Sequence, residues 1–434
     1  MNETKFRQTE IGMIPSDWEL KKLSQLCDKF LDGDWIEADD QSSDGFRLIQ
    51  TGNIGNGRYL DKTNRKHFIS EATFKRLNCT EIFEGDVLVS RLPDPVGRAC
   101  ILPESHERRI TAVDFTIIHF FNYNPVLFVN YTQTSVYQKA VNECLSGSTR
   151  LRISRRNLGN MLIPVPSSKE EQDSIAKVLN NIDAVISTTE KLIAKKKKLK
   201  QGAMQTLLSG KMRIQNGKWI KTTNFKQTEL GPIPQEWKVE KLSQICDKFL
   251  DGDWIEADDQ SSEGIRLIQT GNIGNGQYLD KANRKHFISE ATFKRLNCTE
   301  IFEGDVLVSR LPDPVGRACI LPKSHERRIT AVDCTIIRFS NYNPILFVNY
   351  TQTSVYQNAV NECLSGSTRL RISRKNLGEM LIPVPPTKEE QTAIATVLSD
   401  MDAEIAALET KLAKYRQLKT GMMQQLLTGK NRLV

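Results

Sequence analysis

The sequence predicts an α+β protein of two globular domains, each followed by a long helix, and three observations carry that expectation. The chain repeats itself without a gap at a spacing of 219 residues. Each copy opens with short apolar runs broken by Gly, Asn and Asp, and each closes with about forty residues of heptad periodicity.

Slid against itself, the chain places Trp18 on Trp237, Arg91 on Arg310 and Gly202 on Gly421. Such a repeat decides architecture before any local pattern does. Residues 27–163 differ from 246–382 at 12 of 137 positions, among them Phe46/Ile265, Arg58/Gln277, His119/Arg338 and Phe121/Ser340. The flanks have drifted further: 9 of 21 positions differ between 6–26 and 225–245, and 25 of 49 between 167–215 and 386–434. One whole-length duplication would spread changes evenly. The central body was therefore copied as a module or is held alike by what it binds, and both bodies are expected to bind the same thing.

With 434 residues, 39% of them hydrophobic, the chain can pack cores in two or more domains. No segment approaches the roughly 18 uncharged apolar residues of a membrane span, and residues 1–12 lack the apolar stretch of a secretory signal. The expectation is a soluble intracellular protein that does not engage membranes. Nine scattered cysteines, odd in number and never spaced as CxxC, are expected as reduced thiols. A net charge of +8 and a pI near 8.9 tilt the partner toward a polyanion, since lysine and arginine release counterions from phosphates.

Within the body, EGDVLVSR (Glu84 to Arg91) and RITAVDFTIIHFF (Arg109 to Phe121) read as strands. SEATFKRL (Ser70 to Leu77) and PVLFVNYTQTSVYQKAVNEC (Pro125 to Cys144) read as helices. From Ser168 a capping box opens a long helix, with the Ser168 hydroxyl accepting from a backbone N–H and Glu171 reaching back; Thr387 and Glu390 repeat it. In the second copy Ile394, Met401, Leu408, Tyr415 and Met422 recur every seven residues, with Leu398, Ile405 and Leu412 offset by four, a coiled-coil seam. The first copy has Ile175, Leu179, Ile182, Ile186 and Ile193 at the equivalent positions, but also Thr189, Lys196 and Lys200. Two unlike helices in one pair are expected, each about 60 Å long at 1.5 Å per residue and ended by Gly210 and Gly429. The lysine run Lys195 to Lys198 reads as a solvated helix surface.

No catalytic machinery is legible. The Gly52, Gly55, Gly57 cluster lacks the strand–GxGxxG–helix context and any Walker lysine, and reads as a turn in which Asn53 and Asn56 tolerate left-handed backbone. The five histidines form no HExxH. Asp94 and Glu104 loosely suggest a carboxylate pair, but Lys323 replaces the second in the other copy. Nor is there a [DNS]PP[YF] loop for base methylation. The chain is expected to be non-catalytic and to bind no metal.

Basic and amide side chains in short loops could instead read DNA. Arginine offers a fork to guanine, and Gln or Asn pairs with adenine. The candidates are Gln50, Asn53, Lys62, Arg65, Arg91, Arg98 and Arg150 in the first body, and Gln269, Asn272, Lys281, Arg284, Arg310, Arg317 and Arg369 in the second. SRLPDPVGR leads among the segments, because prolines hold Arg91 and Arg98 at defined positions. The bland alternatives are a pair between Arg91 and Asp94, a solvated face at Lys62, Arg65 and Lys66, and phosphate contacts without base reading from SGSTRLRISRR.

The opening QTEIGMIPSDWEL (repeated as QTELGPIPQEWKV), the junction IPVPSSKEEQDSIAKVL (repeated as IPVPPTKEEQTAIATVL) and the heptad helices together resemble the specificity subunit of type I restriction-modification systems. The resemblance covers essentially the whole chain. It implies two target recognition domains, 1–166 and 220–385, related by a pseudo-two-fold axis, and two spacer helices, 167–212 and 386–430, packed antiparallel as a coiled coil. Each domain would read half of a bipartite site on double-stranded DNA in a prokaryotic cytoplasm. It also implies two docked methyltransferase subunits bringing S-adenosylmethionine, and restriction subunits using ATP and Mg, with no cofactor in this chain. The near-identical bodies depart from the family pattern of unlike domains and point to a palindromic interrupted target. The rival is a non-catalytic coiled-coil scaffold whose globular ends bind proteins.

Overall fold

The computed structural model describes residues 5–62, 64–148, 150–366 and 370–433. The chain forms two compact units, one of residues up to Glu190 together with those from Thr410 onward, the other Lys191–Glu409. Each long helix, Lys169–Leu207 and Lys388–Leu426, begins in one unit and ends in the other.

In the first unit one sheet runs in the order Arg109–Thr111, Phe46–Ile49, His67–Ile69, Gln41–Ser42, its first pair parallel. A second, wholly antiparallel, runs Cys27–Asp32, Phe115–Phe120, Val87–Ser90, Ala99–Ile101. The ribbons Phe6–Thr9 with Gly12–Pro15, and Glu19–Lys22 with Leu162–Val165, bring the chain into and out of the body. Within EGDVLVSR the run Val87 to Val89 is apolar without alternation because the strand Val87–Ser90 is buried on both faces. Val87 and Val89 enter a core with Trp18, Phe128 and Ile175, while Leu88 turns to Cys100, Phe115 and Ile117. The second unit repeats both sheets, for example Lys248–Asp251, Cys334–Arg338, Val306–Ser309, Ala318–Ile320.

Two expected elements are divided. RITAVDFTIIHFF is not one strand: Arg109–Thr111 and Phe115–Phe120 belong to different sheets, and the chain crosses between them while Val113 N donates to Asp34 O at 2.8 Å. Pro125 to Cys144 forms two helices, Pro125–Tyr131 and Ser135–Glu143. Thr132 Oγ1 donates to Val129 O, and Thr134 Oγ1 accepts from Tyr137 N as a fresh N-cap, so the hydroxyls break the ladder. All nine cysteines are free thiols.

The capping expectation holds by half. Glu171 N donates to Ser168 Oγ at 3.1 Å, but the Glu171 carboxylate does not return to the cap. It is fully buried, accepting from Trp18 Nε1 at 3.1 Å and from the Nε and Nη2 of Arg432, the latter at 2.8 Å. Arg432 also forks onto Asp17 at 2.9 Å to each oxygen, which holds that carboxyl below its ordinary range. The second unit repeats the arrangement 219 residues on. Glu390 accepts from Trp237 Nε1 at 3.2 Å and from Arg213 Nε at 2.8 Å, and Arg213 also pairs with Glu236. Arg213 and Arg432 each follow the end of a long helix, so each unit is closed by residues that follow the helix begun in the other. Gly210 and Gly429 end those helices at φ +68° and +66°, where a Cβ would come within 2.3 Å of Pro234 and Pro15.

Within each unit the start of one long helix lies beside the end of the other. In the first, Asp183 and Glu190 meet Lys419 and Arg416; in the second, Lys196 and Lys200 meet Glu404 and Asp402. The helices therefore pack antiparallel, with Ile175, Leu179, Ile394, Leu398, Ile405 and Leu412 buried along the seam. The lysine run is not merely solvated, since Lys196 and Lys197 pair with Glu404 and Glu409 at 2.6 Å.

Arg432→Ala should lower the first unit's stability by about 3 kcal/mol in urea unfolding, because Glu171 is left buried and charged without its partner. Lys200→Glu should destabilise the helix pair, and adding Asp402→Lys should restore most of the lost melting temperature.

Candidate nucleic-acid interface

The strand Phe46–Ile49 leads into a 3₁₀ turn, Thr51–Asn53, that Asn53 latches from within. Its Oδ1 accepts from Gln50 N at 3.0 Å and its Nδ2 donates to Leu60 O at 3.0 Å, while the residue is 5% exposed. Asn272 does the same in the second unit. These asparagines are structural rather than base-reading, and they sit in the turn with negative φ; Gly57, at φ +85°, takes the left-handed position. Gln50 and Gln269 are half-buried beside them.

Arg98 is likewise corrected from reader to brace. At 6% exposure, it donates through Nε to Ile54 O, through Nη1 to Leu92 O and Pro95 O, and through Nη2 to Thr51 O, all within 3.1 Å. Four of its five donors thus tie two loops together, and burial pushes its pKa below the ordinary arginine value. Arg317 makes the same four bonds. Arg91 and Arg310 are also mostly buried, donating to Val113 O and Val332 O. Their acidic partners are Asp32 and Asp251 rather than Asp94 and its equivalent. Lys62, Arg65, Lys281 and Arg284 are exposed, with Lys62 Nζ lying over Gly52 of the latched turn.

The exposed cations concentrate on SGSTRLRISRR. Ser146 and Arg152 pair through two backbone hydrogen bonds of 2.9 Å, closing a hairpin, and Ile153 N donates to Arg91 O while its side chain is fully buried. Ser154 then caps the short helix Arg155–Gly159, and Asn157 Nδ2 ties that helix to Cys144 O. A rigid base thereby carries exposed Arg150, Arg152, Arg155 and Arg156, flanking two shallow clefts of about 320 and 660 Å³. In the second unit Arg371, Arg374 and Lys375 are exposed in the same places, and Arg369 lies outside the described residues. Arg152, Arg155 and Arg156 were legible as the run RLRISRR, but only the structure shows Arg152 beside Arg150 on one cleft and Arg155 with Arg156 on the other. Each unit also has a more enclosed groove, between Val136 and Leu427 and between Val355 and Leu208, whose largely apolar walls do not suit a phosphate backbone.

Residues 15–201 and 234–415 match the type I restriction modification DNA specificity domain. The chain belongs to that family. It is 25% identical to the MjaX type I restriction enzyme specificity subunit of Methanocaldococcus jannaschii, over 99% of this chain and 97% of the relative. With the MjaVIII specificity subunit of the same organism it shares 22% identity over the same proportions. Among solved structures it resembles the S subunit of a type I restriction-modification system from M. genitalium, with a TM-score of 0.56, 14% identity and coverage of 98% and 97% of the two chains. It also resembles a chain from work on complex assembly and conformational transition of the type I system, with a TM-score of 0.52, 16% identity and coverage of 95% and 98%. In this specificity family the exposed arginines, rather than the braced ones, form the candidate DNA face. Among the described residues no helix is long and apolar enough to cross a membrane, and no group of three or more His, Cys, Asp or Glu could hold a metal.

Arg98→Met should lower folding stability by about 2 kcal/mol, since it removes four hydrogen bonds at a buried site. Arg152→Ala should leave folding intact, weaken DNA binding across sequences and flatten the salt dependence of log K by about one unit of slope.

Proposed function

We propose that this specificity subunit reads a bipartite DNA target whose half-sites are inverted copies of one sequence, and that it positions modification and restriction enzymes on that target. The observation that carries this reading is the repeated arginine hairpin, held on the same braced loops in two bodies that differ at 12 of 137 positions. Of the substitutions that could have made the halves unequal, Arg156/Lys375, on that face, keeps its charge, Asn160/Glu379 borders the cleft beside it, and three others are engaged elsewhere. Phe46, Ile265's counterpart, is buried against Phe74; Arg58, where the second copy has Gln277, pairs with Glu190 of the long helix; and His119 and Arg338 both face an internal aspartate.

Two like readers whose long helices exchange roles suit an inverted repeat, with half-site centres on the order of 10 bp apart, one helical turn. Two methyltransferase subunits would bring S-adenosylmethionine, and restriction subunits would bring ATP and Mg; this chain supplies the address and no chemistry.

Long-read methylome sequencing of the host should return one palindromic interrupted motif that disappears when this gene is deleted. Two unrelated half-sites would overturn the equal-reader proposal. Filter binding to that motif should weaken steeply with salt, whereas a protein-binding scaffold would show neither sequence preference nor a steep slope.

A further inference from the structure

The larger of the two clefts beside the arginine hairpin contains an acidic side chain that phosphate affinity alone would exclude. Asp32, at the end of the strand Cys27–Asp32, stands between two guanidiniums, with Arg91 Nη1 3.3 Å from Oδ1 and Arg155 Nε 3.7 Å from Oδ2. In the second unit Asp251 stands between Arg310 and Arg374, at 3.5 Å from each. Oδ1 is buried and, like Arg91 Nε, makes no hydrogen bond; Asp251 Oδ1 and Arg310 Nε repeat this. A carboxylate placed only to hold Arg91 would take its fork, as Asp17 takes that of Arg432 at 2.9 Å to both oxygens. Here the pairing is loose. The Arg155 side chain is 45% exposed and that of Asp32 32%.

The chemistry of the pair suggests what it meets. In the major groove a carboxylate accepts from the cytosine N4 amino group and an arginine donates to guanine O6 and N7, and one G·C pair presents both edges side by side. We propose that Asp32 with Arg155, and Asp251 with Arg374, form a composite reader of one G·C pair in each half-site. Asp32 takes the cytosine amino group and Arg155 the guanine. This rests on the DNA reading above and deepens it to a base pair. Residues 30–36 and 146–155 are identical in the two copies, while Arg156/Lys375 and Asn160/Glu379 across the same cleft differ. The same base pair is therefore read in both halves.

Selection from a randomised duplex library by the full chain, comparing wild type with Asp32→Asn, Asp251→Asn and the double variant, tests the assignment. Asp32→Asn should reduce discrimination for G·C at one position of one half-site roughly 10-fold or more and leave the other half-site intact, which serves as a folding control within the same molecule. The double variant should lose it at two symmetry-related positions. Affinity for unrelated DNA should rise, because a negative charge leaves the phosphate face. Uniform weakening at every position would overturn the assignment in favour of a positioning role for Asp32, and an unchanged preference would overturn it outright. A wild type without any sequence preference would instead overturn the DNA reading itself, and this assignment with it.

Discussion

Each unit is organised around a carboxylate that has been taken out of water. Glu171 and Glu390, essentially unexposed, sit at the first turn of the two long helices. A buried anion is tolerable only when charge and hydrogen bonds surround it, and here the surroundings come from three distant stretches. A tryptophan N–H arrives from the entry ribbon of the globular body, the helix supplies the acid, and an arginine arrives from beyond the end of the other long helix. Removing any one stretch exposes the cost of the other two. This is why the first unit is compact without being contiguous in sequence, and why the residues after Leu426 are part of its core.

The helix pair obeys a second electrostatic constraint. Residues 191–200 of the first helix carry six lysines and no acid, and residues 400–409 of the second carry Asp400, Asp402, Glu404 and Glu409 with no base. The other halves reverse the pattern, with Asp183 and Glu190 facing Arg416 and Lys419. A parallel pairing would oppose like charges along its length. The antiparallel arrangement therefore follows from charge as well as from the apolar seam, and it neutralises Lys196 and Lys200, which interrupt the first helix's heptads. This segregation was readable from residue types alone, although the lysine run, taken by itself, looks like an ordinary solvated face.

On the recognition face, residue type was a poor guide to role. Arg98 and Arg152 are both arginines in loops, yet one braces four carbonyls in the interior and the other stands in solvent. The difference lies in what surrounds each. Arg98 faces a cluster of backbone carbonyls where two irregular loops meet, and a guanidinium is the side chain able to bond several at once. Asn53 serves the same end in the 3₁₀ turn. Irregular loops that carry a binding surface need such internal fastening, and the residues that provide it resemble readers in the linear sequence.

The sequence by itself determined the duplication, the order of body and helix, the heptad seam, the helix-ending glycines and the family, because each is written in spacing or in contiguous motifs. Periodicity is a local property that survives without coordinates. Only the tertiary structure decided which arginines face outward, that Glu171 turns from its helix cap to Arg432 more than two hundred residues away, and that Asp32 rather than Asp94 stands beside Arg91. Those outcomes depend on long-range proximity, where burial and the acceptors brought within reach, not residue identity, settle what a charged side chain does.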